Sequence, residues 1–222
     1  MKIINVAVDG PSGSGKSTLS RKAAAALGFI YVDTGAMYRA IGLYAFRQGI
    51  TVDQPEKVVD YLDRITIDIK YDQGEQLIFL NGENVSAEIR THIISAYASA
   101  VAKVPQVRAF LLDRQRQLAA QNCVIMDGRD IGTVVLPNAD VKIFLTASPE
   151  VRANRRFAEL KERGQSIDYE KLLQDIKDRD YQDSHREIAP LKPSESSVIL
   201  DTSELDFEQS LSKLIDTIKE NI

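Results

Sequence analysis

The sequence predicts an α/β fold with a parallel sheet, because short apolar strands alternate with helical segments along much of the chain. Residues 3–8 form an apolar run that is typical of a buried parallel strand. A glycine-rich segment follows, and residues 18–27, with their four consecutive alanines, predict a helix that ends at Gly28. Later apolar runs predict further strands at residues 29–32, 124–126, 141–145 and 198–200.

Residues 10–17 have the pattern G-x-x-x-x-G-K-[ST] of a phosphate-binding loop. Glycines let backbone N–H groups turn inward around phosphate oxygens, and the N-terminus of the following helix adds affinity for anions. Lys16 can reach the β- and γ-phosphates, and the Ser17 hydroxyl can take a place on Mg²⁺. A glycine-rich turn that binds nothing is the alternative, but the setting between a strand and a helix favours a nucleoside triphosphate site. The residues predicted to form it are Gly10, Pro11, Ser12, Gly13, Ser14, Gly15, Lys16, Ser17 and Thr18.

The composition is that of a globular protein, since the 222 residues are 44% hydrophobic and 27% charged. A net charge of −4 and a pI near 5.3 argue against a nucleic-acid-binding surface. The single cysteine, Cys123, begins an apolar run and is expected to be a buried, inert thiol. Because no signal peptide opens the chain and no apolar stretch is long enough to span a bilayer, we expect a cytoplasmic protein without a membrane partner.

The sequence pattern changes between residues 64 and 85. Isoleucines alternate with polar residues over 65–69, a second apolar run covers 77–80, and Asn81-Gly82 is a tight-turn signal. This stretch predicts a small antiparallel insert within a helical region.

Capping signals flank this insert. Asp53, with Pro55 in the first turn, is predicted to begin one helix, and Ser86 is predicted to cap another. Because the chain contains neither an internal repeat nor a low-complexity linker, we expect a single domain over residues 1–222.

Three arginines follow a predicted strand in the C-terminal half. Arg152, Arg155 and Arg156 stand at positions i, i+3 and i+4, so they share one face of a helix predicted between Pro149 and Gly164. A solvated basic face is one interpretation. Phosphoryl transfer depends on positioning and charge neutralisation, however, and the place of this helix favours a mobile lid over the phosphates.

Two further groups of charged residues have the spacing of binding sites. Arg179, Asp183 and Arg186 fall at i, i+4 and i+7 on a helix predicted from Asp168, although surface salt bridges have the same spacing. The run Asp-Gly-Arg-Asp at residues 127–130 follows a buried strand directly, at the end where open α/β sheets bind ligands; a polar turn is the alternative. The sequence contains no Asn-Lys pair for reading guanine, which argues against a GTPase.

Five stretches together resemble bacterial-type cytidylate kinases, a family of nucleoside monophosphate kinases, and the resemblance runs nearly end to end. They are D-G-P-S-G-S-G-K at 9–16, D-T-G-A-M-Y-R at 33–39, D-G-R-D-I-G-T-V at 127–134, K-I-F-L at 142–145, and residues 179–191. The resemblance implies a P-loop kinase fold with a five-stranded parallel sheet core and helices on both faces. It also implies a lid at residues 149–164 and an inserted acceptor-binding region at 35–100 that carries the small antiparallel sheet.

The resemblance further implies roles for individual residues. Arg39 and Arg129 would hold the acceptor phosphate, and Thr34, where many relatives have serine, would lie at the acceptor site. The residues implied to read cytosine are Ser99, Arg108 and Asp130; Arg179 and Asp183 would reach the sugar, and Arg186 would lie near the base. For Ser99, a small residue in a helix–helix contact is the alternative. From the need for charge neutralisation, we also expect Lys16, Arg152 and Arg156 to neutralise charge on the transferring group.

The chemistry of cytosine agrees with these residue types. Its N4 amino group donates a hydrogen bond that Asp130 can accept, whereas N3 and O2 can accept from Arg108 and from a serine hydroxyl. Uracil presents a carbonyl at position 4 and a donor at N3, so a site built for cytosine would leave buried polar groups unpaired against it.

We therefore expect a kinase that uses ATP and Mg²⁺ to phosphorylate CMP and dCMP by direct in-line transfer. We also expect a monomer whose partners are small-molecule nucleotides only. A related kinase for UMP, AMP or a non-nucleotide metabolite is the alternative among enzymes, and a catalytically weak nucleotide-binding regulator is the alternative of another class. A screen of acceptors separates these possibilities.

Overall fold

The computed structural model describes residues 2–72, 75–162, 164 and 168–222, and the chain divides into two compact units. The first unit comprises Met1–Tyr31 and Asn122–Ile222, and the second comprises Val32–Gln121. The acceptor-binding region predicted at residues 35–100 falls within the second unit. The lid predicted at 149–164 falls within the first, apart from Arg163, which lies outside the described residues.

Strands and helices alternate in the first unit, and the second unit combines helices with a small sheet. In chain order they are β1 (Asn5–Asp9), α1 (Lys16–Leu27), β2 (Ile30–Asp33), α2 (Thr34–Arg47), β3 (Ile67–Asp72), β4 (Glu75–Leu80), β5 (Glu83–Asn84), α3 (His92–Val101), α4 (Pro105–Gln121), β6 (Val124–Gly128), β7 (Val141–Thr146), α5 (Pro149–Glu162), α6 (Tyr169–His185), β8 (Val198–Asp201) and α7 (Phe207–Glu220). Segments of 3₁₀-helix cover Pro55–Arg64 and Glu88–Arg90, and a π-helical turn covers Ile131–Val135.

The main sheet has five strands in the order β2-β6-β1-β7-β8, and the predicted α/β fold with a parallel sheet is confirmed. Strand β1 lies between β6 and β7, with Val8 opposite Asp127 on one side and Ile143 on the other. The apolar residues of β1 are fully buried, as expected for a central parallel strand. Because the strands are parallel, the carboxyl ends of β1, β6 and β7 meet at one edge of the sheet.

Helices α1 and α7 pack together against one face of this sheet. Val6 and Val8 of β1 form a buried cluster with Leu19 of α1 and with Leu214 and Ile218 of α7. The amphipathic C-terminal segment is therefore a helix of the core. Among the residues that the structure describes, no helix is long and apolar enough to cross a bilayer.

Helices α5 and α6 pack against each other in the first unit. They pack through a small buried cluster that includes Leu160 and Ile176. The Asp168 side chain accepts a hydrogen bond from the backbone N–H of Lys171, so the predicted start of α6 is confirmed.

The C-terminus of α6 differs from the prediction. The helix ends at His185, and Arg186 already has an extended backbone with φ −64° and ψ 143°. The Arg186 Nε donates to the carbonyl of Ala189 at 2.6 Å, so its side chain bonds within the turn that follows the helix. The prediction that Arg186 shares one helix with Arg179 and Asp183 is therefore wrong.

In the second unit, helices α2 and α3 cross at Gly42. A Cβ atom at this position would lie 2.8 Å from the backbone nitrogen of Ala98, so the close approach requires glycine. This crossing brings together the helices that carry two predicted acceptor residues, Arg39 on α2 and Ser99 on α3.

The predicted antiparallel insert is present as the three-stranded sheet β3-β4-β5. Ile67 pairs with Leu80 and Ile69 pairs with Ile78 across β3 and β4. Alternate residues of these strands are buried, which explains the period-two pattern of the sequence. The turn at residues 81–82 has positive φ at both positions, 51° and 84°, as the Asn-Gly signal predicts.

Both capping predictions beside the insert are wrong. The segment after Asp53 is a 3₁₀-helix that follows Gln54, and no side chain caps it. The Ser86 hydroxyl accepts from the backbone N–H of Ile78 and so belongs to the small sheet, while Thr91 caps α3. A hydroxyl near a helix start can accept a hydrogen bond from a backbone N–H group of either the helix or a nearby strand. Here the Ser86 hydroxyl accepts from the strand.

Candidate active site

The phosphate-binding loop leaves the end of β1 and enters α1. A Cβ atom at Gly10 would lie 2.0 Å from the carbonyl oxygen of Leu145 on β7, so the loop begins where only glycine fits. Gly15 has a left-handed φ of 87° and precedes Lys16, the first residue of α1. Lys16 is buried, and its Nζ donates to the carbonyl of Pro11 at 3.2 Å. The loop therefore has the strand–loop–helix setting that the motif requires.

A hydroxyl–carboxylate pair lies at the start of α1. The Ser17 hydroxyl donates to Asp127 Oδ2 at 2.6 Å, and the Tyr31 hydroxyl donates to Asp127 Oδ1 at 3.1 Å. Mg²⁺ prefers hard oxygen ligands and is usually bound through one or two carboxylates together with substrate phosphates. Within the described ranges, no group of three or more His, Cys, Asp or Glu side chains could hold a metal. The oxygens of Ser17 and Asp127 fit an Mg²⁺ ion that arrives with a nucleotide.

Asp127 was missed as a metal-site candidate, although its run was singled out. What would have identified Asp127 is its position near the end of β6, because β6 pairs with β1. Parallel pairing brings the end of β6 beside the loop that leaves β1. A sequence pattern alone does not show which two strands are neighbours.

Asp9 is another buried carboxylate at this edge, 4% exposed, and no pattern of the sequence marks it as a site residue. Its two oxygens accept from the backbone N–H groups of Ile131 and Gly132, each at 2.7 Å. Burial raises the pKa of Asp9 to about 6; Asp130 adds to the rise, while the two backbone hydrogen bonds and Lys16 oppose it. Asp9 thus joins the end of β1 to the segment that carries Asp130.

The three arginines of α5 have different surroundings. Arg152 is 3% exposed and forms an ion pair with Asp180 of α6. Arg155 donates to the hydroxyl and the carbonyl of Thr202. The Arg156 side chain is 41% exposed, and its ion pair lies within α5 itself. The cations that the sequence groups on one face are therefore anchored to different parts of the first unit.

The acceptor residues predicted in the first unit form two ion pairs beyond β6. Arg129 Nε donates to Asp183 Oδ2 at 2.9 Å, and Arg186 Nη2 lies 3.6 Å from Asp130 Oδ1. Burial opposes ionisation of Asp183, but the charge and hydrogen bond of Arg129, with the charges of Arg179 and Arg186, outweigh it and lower the pKa of Asp183. The structure therefore brings all five of these residues into one charged cluster.

The acceptor residues predicted in the second unit include a cation with an unused donor. Arg39 Nη2 donates to Asp33 Oδ2 at 2.7 Å, and Asp33 also caps α2 through the N–H of Ala36. The Arg39 Nε–H is buried and, among the described residues, has no hydrogen-bond partner. An unused charged donor is suited to an anionic ligand such as a phosphate group. Thr34 is buried as the first residue of α2.

Arg108 and Ser99 complete the residues predicted in the second unit. Arg108 Nη1 donates to the carbonyl of Ala102 at 3.3 Å, and its guanidinium lies 5.8 Å from the centre of the Tyr38 ring. Ser99 is half-buried on α3, next to the residue that touches Gly42. The Ser99 environment agrees with either interpretation made from the sequence.

Another contact that the sequence did not predict holds Asp33, the residue that pairs with Arg39. Gln76 of β4 accepts from the backbone N–H of Asp33 at 2.8 Å and donates to its carbonyl at 3.4 Å. The small sheet therefore holds the residue that pairs with Arg39. The two residues are 43 positions apart, and no local pattern of the sequence connects them.

These features define the class of protein. A parallel sheet whose central strand delivers a phosphate-binding loop, with a hydroxyl–carboxylate pair beside it, is the arrangement of a P-loop phosphotransferase. The fold also agrees with a solved structure, that of an uncharacterised protein from Eubacterium ventriosum. That chain is 11% identical and has a TM-score of 0.55, with 97% of this chain and 98% of that chain covered.

Sequence comparison gives the family. The family Cytidylate kinase matches residues 6–220. The cytidylate kinase of Caldicellulosiruptor saccharolyticus is 51% identical and that of Caldicellulosiruptor bescii is 50% identical, each with 97% of this chain and 96% of the relative covered. The chain belongs to the cytidylate kinase family. It is therefore a nucleoside monophosphate kinase with ATP as co-substrate.

Proposed function

We propose that this protein transfers the γ-phosphoryl group of ATP to CMP and dCMP, giving the corresponding diphosphates. The observation that carries the proposal is the edge of the first unit where β1 and β6 end side by side. β1 delivers the phosphate-binding loop, and β6 delivers Arg129 and Asp130 with their ion-pair partners Asp183 and Arg186. A donor-phosphate site and an acceptor site are the two parts that a nucleotide kinase needs.

The donor site uses the loop and its neighbours. Backbone N–H groups of the loop and the Lys16 ammonium would hold the β- and γ-phosphates. Ser17 and Asp127 would hold Mg²⁺, which supplies positive charge at the phosphate oxygens. Arg152 and Arg156 are the α5 cations proposed to support charge neutralisation.

The proposed acceptor site uses cations that pair with carboxylates. Arg39 and Arg129 would bind the acceptor phosphate, with Thr34 nearby in the sequence of α2. The acceptor phosphate is itself a competent nucleophile at neutral pH, so the reaction needs no covalent enzyme intermediate. Positioning and electrostatic stabilisation then carry catalysis.

Base and sugar selection falls to the remaining residues. Asp130 would accept from the cytosine N4 amino group, while Arg108 and Ser99 would donate to N3 and O2. Asp183 and Arg179 would reach the sugar, and Arg186 would lie near the base. The low pKa of Asp183 keeps that carboxylate ionised, and so able to accept from sugar hydroxyl groups.

We also propose that residues 1–222 act as one kinase domain with an acceptor-binding insert and a lid. The acidic pI of about 5.3 supports nucleotides, and not nucleic acids, as partners. The proposed working state is a monomer in the cytoplasm.

An acceptor screen tests the proposal. ADP release from ATP is measured with CMP, dCMP, UMP, AMP and no acceptor, and the nucleotide products are separated by chromatography. CMP and dCMP should give the highest kcat/KM, and folded Lys16→Ala protein should lose transfer to both. A preference for another acceptor would support a related kinase. Tight ATP binding with slow turnover on every acceptor would support a regulator.

A further inference from the structure

All three guanidinium nitrogens of Arg152 form hydrogen bonds, and one of these bonds joins Arg152 to the phosphate-binding loop. Its Nε donates to the carbonyl of Ala147 at 2.8 Å, and its Nη1 donates to the carbonyl of Ser12 at 3.1 Å. Nη1 and Nη2 also donate to the two carboxylate oxygens of Asp180, at 3.0 and 2.5 Å. A bidentate pair on a side chain that is 3% exposed is geometrically specific, unlike a surface ion pair.

The bond to Ser12 determines where a loop N–H group points. In a planar trans peptide, the carbonyl and the N–H of the next residue point in opposite directions. Arg152 holds the Ser12 carbonyl toward α5, so the N–H of Gly13 points away from α5. Lys16 acts on the preceding peptide in the same way, because its Nζ bonds the carbonyl of Pro11. A loop that binds phosphate depends on such fixed N–H directions.

We propose that Asp180 is a positioning residue of the ATP site. Its carboxylate fixes the Arg152 guanidinium, and the guanidinium fixes the Ser12–Gly13 peptide in the orientation that receives phosphate. This proposal shares one assumption with the proposed function, namely that the phosphate-binding loop is the ATP site. All of its contacts lie in the first unit.

This role differs from two others that the same ion pair could have. If Asp180 withheld Arg152 from the phosphates, its loss would release a cation and strengthen ATP binding. If the pair served only fold stability, its loss would weaken the ATP site and the acceptor site together. Positioning predicts a defect confined to the ATP site.

Asp180→Asn is the test variant, because it keeps the side-chain shape and removes the charge. Asp178→Asn is its matched control on the same helix, where the exposed carboxylate accepts only from Gln174 among the bonds seen for it. ATP binding is measured by calorimetric titration without acceptor, and steady-state kinetics are measured with each substrate varied. Asp180→Asn should weaken ATP binding and lower kcat/KM for ATP about 10- to 100-fold. Its KM for CMP should stay within about twofold, and Asp178→Asn should match wild type on the same scale.

Arg152→Lys completes a double-mutant cycle, because lysine lacks the planar fork that joins Asp180 to Ser12. It should reproduce the ATP defect, and adding Asp180→Asn to it should cause little further loss. Asp180→Glu, which keeps the charge, should recover part of the ATP affinity.

Three results would overturn the proposal: tighter ATP binding by Asp180→Asn, equal losses of ATP and CMP affinity, or additive losses in the double variant. The titration contains no acceptor, so its result stands whichever acceptor the wild-type protein phosphorylates. Failure of the positioning role is thereby distinguished from failure of the proposed CMP kinase function.

Discussion

The carboxylate of Asp9 is buried, and burial disfavours its charged form. Two backbone N–H groups, of Ile131 and Gly132, compensate in part by donating to its two oxygens. The arrangement ties the end of β1 to the segment that carries Asp130. A neutral amide could not accept from both N–H groups, so the carboxylate has a geometric role that an asparagine would fill poorly.

The raised pKa of Asp9 predicts a pH-dependent contribution to stability. The folded-state pKa of about 6 exceeds the usual value of 3.8, so the folded protein binds the proton more tightly than the unfolded chain. The contribution of Asp9 is therefore fully present below pH 4 and is lost as pH rises through 6. Relative to Asp9→Asn, wild type should lose about 2–2.5 kcal/mol of unfolding free energy between pH 4 and pH 7.

Denaturant unfolding of both proteins across this pH range measures that difference. The nearby charges of Asp130 and Lys16 are present in both proteins, so the comparison isolates Asp9. A difference that stays constant, or that grows in favour of wild type with rising pH, would show that Asp9 is not held in this raised state.

The small antiparallel sheet supports the proposed acceptor site through the Gln76 side chain. Gln76 on β4 bonds both backbone groups of Asp33, and Asp33 both caps α2 and pairs with Arg39. The sheet thus has a function in addition to packing. It fixes the start of the helix that carries a proposed phosphate-binding arginine.

Gln76→Leu removes both hydrogen bonds to Asp33 and should raise KM for CMP about fivefold, the equivalent of about 1 kcal/mol. Because none of the bonds seen for Gln76 and Asp33 reaches the phosphate-binding loop, KM for ATP should change little. Gln117→Leu, the same substitution at an exposed position of α4, is the control. A parallel rise of both KM values in Gln76→Leu would mean a general loss of structure instead.

Helix α5 is anchored unevenly along its length. Arg152 and Arg155 in its first half bond to other segments of the first unit, whereas Arg156 is 41% exposed and pairs only within the helix among the contacts seen for it. A lid that responds to substrate should therefore move mainly in its second half.

Hydrogen exchange with and without bound ATP and CMP tests this expectation. Amides of residues 156–162 should gain protection on binding, because Arg156 acquires a phosphate partner, while those of residues 153–155 should change less. Equal changes across both halves would instead favour a lid that moves as one piece, and no change in either would argue against a lid.

Along the chain as a whole, the sequence predicted the features that local periodicity encodes. The apolar run before Gly10, the alternation over residues 65–69 and the Asn81-Gly82 turn each correspond to an observed strand or turn. These patterns are local because a strand or a turn is formed by consecutive residues. The phosphate-binding loop was predictable for the same reason.

Features that depend on pairing between distant segments were not predictable. Asp127 with Ser17, Arg152 with Asp180 and Gln76 with Asp33 each join residues from different strands or helices. From the sequence alone, each of these polar side chains could have formed hydrogen bonds with several local groups. The folded structure determines which distant group it bonds. The misassigned caps have the same origin.

Reading of the base is the most specific part of the proposed function, and we propose that Asp130 carries it. In wild type and in Asp130→Ala, kcat/KM is measured for CMP and for UMP at saturating ATP. Loss of the N4 contact should lower kcat/KM for CMP by a factor equivalent to about 2–4 kcal/mol. The kcat/KM for UMP should change little or rise, so the CMP-to-UMP preference should shrink. Arg186→Gln, which breaks the ion pair but leaves the carboxylate, should keep most of the preference. If CMP and UMP activities instead fall together in Asp130→Ala and their ratio is unchanged, Asp130 does not read the base.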